Sequence, residues 1–126
     1  MAEKRILIID DEQAIQAVAS LSLKMEADWQ VITANSGAEG IAIAGQEQPD
    51  AILLDVMMPM LDGIETFKQL QQGPLTRSIP VILLTAKAQA AEQQQFQSLG
   101  VAGVITKPFN SLTLASQIAQ VLGWVL

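Results

Sequence analysis

The sequence predicts an α/β fold: a doubly wound, five-stranded parallel sheet flanked by five helices. Two observations carry that prediction. Five short apolar runs recur along the 126 residues, each continuous and rich in β-branched residues or Leu, which is how a strand buried on both faces reads. Stretches with helical spacing separate them, and parallel strands need such crossovers. The length suits one domain that buries a core without disulfide or metal staples, so residues 1–126 are expected to form a single domain with no linker.

Taken in order, the first run is residues 6–9, followed by a helix whose apolar stripe is Ala14, Val18, Leu21 and Met25. The second run, 31–34, leads to Ser36, a helix N-cap type of residue, and a second helix. After the third run, 51–54, Asp62 is placed to cap a third helix with Ile64, Phe67 and Leu70 on one stripe, and Gly73 follows its end. The fourth run, 81–84, precedes residues 86–97 (AKAQAAEQQQFQ), a composition that favours a solvated helix, with Phe96 and Leu99 in i, i+3 contact and Gly100 beyond. The fifth run, 101–105, is interrupted by Gly103. Asn110 or Ser111 then starts a last helix with Leu114, Ile118 and Leu122 on one face.

Composition removes several chemistries. With no histidine there is no Ser-His or Cys-His pair, no imidazole metal ligand and no phosphohistidine on this chain. The absence of cysteine excludes thiol redox chemistry and zinc-finger ligation, so any metal site must use oxygen, which suits magnesium or calcium. Thirteen acids against seven bases give a net charge of −6, and no Lys/Arg cluster offers a surface for direct nucleic-acid binding. Polar residues break every apolar stretch before a membrane span is reached, and the start does not resemble a secretory signal, so a cytoplasmic protein is expected.

In an open parallel sheet, ligands bind beyond the carboxyl ends of the strands. There the sequence sets Asp10-Asp11-Glu12, Asn35-Ser36, Asp55, Thr85 and Thr106-Lys107-Pro108. Carboxylates crowded there repel one another, and a divalent cation with Lys107 beside it offsets the charge. Asp55 is a reasonable carboxylate nucleophile, and phosphoryl transfer asks chiefly for positioning and charge neutralisation. Plainer readings stand beside these: the acidic run as a cap of the first helix, Thr85 as a β-branched strand residue, Lys107 as a surface lysine, and Trp29, Trp124 and the methionines 57, 58 and 60 as packing.

The motifs ILIIDDE at 6–12, ILLDVMMPMLDGIE at 52–65, VILLTA at 81–86 and ITKPF at 105–109 resemble, in this order, the receiver domain of bacterial two-component response regulators, of the stand-alone, chemotaxis-regulator-like kind. The resemblance covers essentially the whole chain and implies a flavodoxin-like fold with strand order 2-1-3-4-5. It implies that Asp55 is the phosphoacceptor, that Asp10, Asp11, Asp55 and the Met57 backbone carbonyl bind magnesium, and that Thr85 and Lys107 contact the phosphoryl group. It further implies a cis bond before Pro108 and a loop shaped by Pro59 and Gly63. The donor would be a histidine kinase or histidine phosphotransfer protein. The output would be a protein bound by the fourth helix, fifth strand and fifth helix, residues 90–123, with the chain a monomer or a phosphorylation-dependent homodimer.

Such a domain turns over no free substrate: it would catalyse its own magnesium-dependent phosphorylation and a slow autodephosphorylation. Many receivers carry Tyr or Phe three residues before the lysine, where Val104 stands, and the resemblance implies that Met57 and Lys87 occupy positions that in the family lie beside the phosphoryl group. Val104 keeps open an alternative, a receiver-fold interaction module independent of phosphate. A phosphohydrolase lacks room here for a cap domain, the acidic first loop disfavours flavin phosphate, and no Gly-rich P-loop occurs.

Overall fold

The computed structural model of the chain describes residues 3–58, 60–86 and 90–125, with backbone alone at 90–93. In chain order the elements are β1 (Arg5–Ile9), α1 (Gln13–Ala27), β2 (Gln30–Ala34), α2 (Gly37–Glu47), β3 (Ala51–Asp55), α3 (Gly63–Gln72), β4 (Val81–Thr85), α4 (Ala90–Gln97), β5 (Gly103–Thr106) and α5 (Leu114–Leu122). All four strand pairings are parallel and the order is β2-β1-β3-β4-β5. The chain leaves β1 for β2 on one side and resumes at β3 on the other, which opens a crevice at the carboxyl ends of β1 and β3.

Side-chain alternation divides the core. Leu7, Ile9, Ile52, Leu54 and Leu83 face a cluster completed by Phe67, Leu70 and Phe96, while Ile6, Ile8, Leu53, Ile82 and Leu84 face one completed by Ala19, Leu23, Ala115 and Ile118. The central strands are therefore buried on both faces, and truncating any of their leucines to Ala costs about 2–5 kcal/mol. Gly103 interrupts the fifth run because α5 packs on it: a Cβ there would lie 2.5 Å from a methyl of Val121. The strand begins at Gly103, and Val101 and Ala102 form the approach to it.

Three expectations about the elements are corrected. The run 31–34 is not buried on both faces: β2 is an edge strand, with Gln30 and Thr33 exposed and Val31 and Ile32 half-buried. The stripe Ala14, Val18, Leu21 and Met25 turns outward, with Leu21 60% and Met25 77% exposed. The buried face of α1 is instead Ala19, Ser22 and Leu23; Ala19 and Leu23 pack in the core, and Ser22 is tolerated there because its hydroxyl donates to the Val18 carbonyl at 2.8 Å. The last helix starts at Leu114, not after Asn110 or Ser111. Asn110 Oδ1 accepts from the Leu112 N–H at 2.9 Å and makes a turn.

Ser36 and Asp62 cap as expected, accepting from the N–H groups of Glu39 and Glu65. Trp29 is buried and meets Trp124 edge to face at 5.5 Å, with Lys4 over the Trp124 ring. Of the methionines read as packing, only Met58 packs; Met57 and Met60 are exposed. Among the described residues no helix is long and apolar enough to cross a membrane.

Candidate functional site

Asp10 follows β1, Asp55 ends β3, Thr85 ends β4 and Lys107 follows β5, so the parallel register brings all four to one edge. Asp10, Asp55 and Thr85 are at most 2% exposed, and Asp11 is exposed at the rim. Lys107 Nζ lies 3.0 Å from Asp10 Oδ2, 3.2 Å from Asp55 Oδ1 and 3.7 Å from Glu12 Oε1. The Lys107 N–H also donates to the Thr85 carbonyl at 2.8 Å, tying the two strand ends together. The Lys107–Pro108 bond is cis, as the resemblance implied.

The loop after Asp55 folds back over it. Met57 N–H donates to Asp55 Oδ1 at 3.2 Å, and Gly63 N–H donates to the Val56 carbonyl at 3.0 Å. Gly63 must be glycine: a Cβ there would stand 2.2 Å from the Asp55 carbonyl oxygen and 2.6 Å from Val56 Cα. Pro59 and Lys87 lie outside the described residues.

Asp10, Asp11 and Asp55 each offer a carboxylate oxygen, and these atoms lie within 4.8 Å of one another. Asp55 Oδ2 is buried with no hydrogen-bond partner. An unsatisfied buried carboxylate oxygen is costly, and carboxylate oxygens from three residues gathered at one place are the kind of donor set that a hard cation such as magnesium takes. The residues therefore fit that ion. The acidic run is more than a cap: Glu12 is the N-cap of α1 with no side-chain cap bond, and Asp10 Oδ1 accepts from the Glu12 N–H at 2.9 Å.

One ammonium against this many acids leaves the site short of positive charge. Burial, and next the charge of Asp10, push the Asp55 carboxyl up to about 6, although Lys107 and the Met57 N–H pull the other way. For Lys107, burial lowers the affinity for its proton, but the hydrogen bond and charge of Asp10 and then of Asp55 outweigh it, and the ammonium is raised above its ordinary value. Lys107 is therefore held as a cation, while Asp55 is held up to about 6.

Glu12, the last acid of the run after β1, adds a carboxylate near Lys107. Gln16 carries no local signal in the sequence: in α1, it donates from Nε2 to the Asp10 carbonyl at 2.6 Å and to Asn35 Oδ1 at 2.8 Å. These partners follow two different strands, so only the folded topology reveals the residue.

The family model of the response regulator receiver domain matches residues 6–119. The chain is 39% identical over 119 residues to the alkaline phosphatase synthesis transcriptional regulatory protein PhoP of Bacillus subtilis, covering 94% of this chain and 48% of that one. It is 36% identical over 118 residues to protein PilH of Pseudomonas aeruginosa, covering 94% of this chain and 97% of PilH. The solved structure of the chemotaxis response regulator CheY4 of Vibrio cholerae superposes with a TM-score of 0.86 at 30% identity, over 95% of this chain and 99% of that one. Several curated relatives, PhoP among them, are about twice as long, so the chain spans about half their length. The chain belongs to the response regulator receiver domain family, and its acidic pocket is Asp10, Asp11 and Asp55.

Proposed function

We propose that Asp55 is the phosphoacceptor of this receiver and takes a phosphoryl group from a phosphohistidine on a histidine kinase or phosphotransfer protein. The observation that carries this reading is the state of the Asp55 carboxylate: one oxygen is held by Lys107 and the Met57 N–H, the other is buried without a hydrogen-bond partner, and the carboxylate lies in a cluster with those of Asp10 and Asp11. Asp10, Asp11, Asp55 and the Met57 carbonyl would hold magnesium. Magnesium would neutralise the carboxylates and the phosphoryl oxygens.

An Asp55 oxygen attacks phosphorus in line, the new O–P bond forms as the donor's N–P bond breaks, and the imidazole leaves with the bonding pair and takes a proton from solvent. Little else is asked of the protein in phosphoryl transfer than positioning and charge stabilisation. Lys107 pairs with the incoming dianion, and Thr85, one residue past the level of Asp55 in the register, supplies a hydroxyl. With no histidine in the chain to activate water, hydrolysis is slow and the acyl phosphate persists. The domain acts on itself in this way and turns over no free substrate.

Binding of the dianion by Thr85 and Lys107 shifts a two-state equilibrium, read by a protein partner on the face of α4, β5 and α5, with the protein acting in the cytoplasm as a monomer or a phosphorylation-dependent homodimer. Phosphotransfer from a phosphohistidine donor tests the reading: the wild type should drain the donor's label onto itself and Asp55→Asn should not. A second reading, an interaction module independent of phosphate, is favoured by Val104, an aliphatic residue packed against the core where many receivers carry an aromatic. It requires partner binding to be unchanged by phosphorylation.

A further inference from the structure

We infer that Gln16 is the positioning residue of the magnesium site, holding the Asp10 backbone so that the acidic pair faces Asp55; the inference rests on the reading above. Gln16 is half-buried in the first turn of α1. Its Nε2 lies 2.6 Å from the Asp10 carbonyl, 2.8 Å from Asn35 Oδ1 and 3.3 Å from the Ala34 carbonyl. The two backbone carbonyls can only accept, so the amide must present its NH2 group, and its two hydrogens serve the two short bonds. The Ala34 carbonyl also accepts from the Asp10 N–H at 3.1 Å. Asp10 is thus tied through both its backbone groups, the N–H to the end of β2 and the carbonyl to α1.

That tether matters because Asp10, Asp11 and Asp55 repel one another at this spacing. An untethered β1–α1 turn relieves the repulsion by swinging Asp10 and Asp11 apart, and the cation must then gather them again. Gln16 keeps them gathered beforehand, and it touches neither the ion's ligand atoms nor the phosphoryl group.

Calorimetric titration of the whole chain with magnesium chloride tests this, alongside thermal unfolding without magnesium and the magnesium dependence of phosphorylation by acetyl phosphate. Gln16→Met, of similar length but without donors, and Gln16→Asn, one methylene shorter, should each bind magnesium roughly tenfold more weakly. Each should need correspondingly more magnesium for half-maximal phosphorylation and regain the wild-type rate at saturation. Asn35→Ala, which removes one partner of Gln16 and leaves its bond to Asp10, should bind magnesium nearly as the wild type does. Variants that lower the unfolding temperature yet bind magnesium as tightly as the wild type would make Gln16 a merely structural residue and overturn the inference. A wild type that fails to bind magnesium would instead overturn the reading of the site itself, and this inference with it.

Discussion

Lys107 meets Asp55 through one oxygen only: Nζ lies 3.2 Å from Oδ1, and Oδ2 is buried with no hydrogen-bond partner. The same ammonium stands 3.0 Å from Asp10 Oδ2, so two buried carboxylates share one cation. A site arranged in this way is poised for a further positive charge.

The first consequence is a pH dependence. Asp55 is held up to about 6 by burial and by Asp10, and in its protonated form it is no nucleophile. The rate of phosphorylation by acetyl phosphate at limiting magnesium should therefore fall as pH drops through about 6. Raising magnesium favours the carboxylate and should move the midpoint to lower pH. A midpoint indifferent to magnesium contradicts the assignment of Asp55 to the cation site.

Stability should respond with the opposite sense. Asp55 binds its proton more tightly in the folded chain than at its ordinary value of 3.8, so its contribution is fully favourable below that value and is lost as pH rises through about 6. At neutral pH without divalent ions, Asp55→Asn should stabilise the fold by about 1–3 kcal/mol, and acidification should shrink the gain. Added magnesium should stabilise the wild type more than the variant. Paired thermal melts across pH check this, and a variant less stable at neutral pH contradicts it.

Met57 is 64% exposed, two residues after Asp55, with its N–H on Oδ1. A thioether side chain beside the acyl phosphate hinders an attacking water, whereas an amide can hydrogen-bond and orient one. Met57→Asn should shorten the lifetime of the phosphorylated protein, followed by intact mass after removal of the donor. An unchanged lifetime removes Met57 from this role.

Glu26, in α1, caps α5 from a distance. Its Oε1 accepts from the Ala115 N–H at 2.8 Å and its Oε2 from the Ser116 N–H at 3.1 Å, while the N-cap residue Thr113 makes no side-chain cap bond of its own. Glu26→Ala leaves those N–H groups without a protein acceptor at a helix N-terminus and should cost about 1–2 kcal/mol in denaturant unfolding, Glu26→Gln less. Equal stability of all three proteins would show that water replaces the cap without loss.

These residues also mark how far the sequence can be read. β1, β3 and β4 are legible because burial on both faces forces unbroken apolar runs, and Asp10, Asp55 and Thr85 are legible because each stands immediately after such a run, while Lys107 follows the edge strand β5. α1 is misread because its outward stripe, Val18, Leu21 and Met25, is as apolar as a core face, while its inward positions include Ser22 and the half-buried Glu26. Ser22 satisfies its hydroxyl within its own turn, but Glu26 is fixed by a group 89 residues away and Gln16 in part by one 19 residues away, and no local pattern encodes such partners. The start of α5 is missed for the same reason: Asn110 looks like a cap, and the actual cap is Glu26.

The central claim is that Asp55 takes the phosphoryl group with the help of the acidic pair. Intact mass after incubation with acetyl phosphate and magnesium chloride measures this directly. The account predicts a gain of one phosphoryl group that disappears when magnesium is chelated and is absent from Asp55→Asn. No gain in the wild type, or an equal gain in Asp55→Asn, would contradict it.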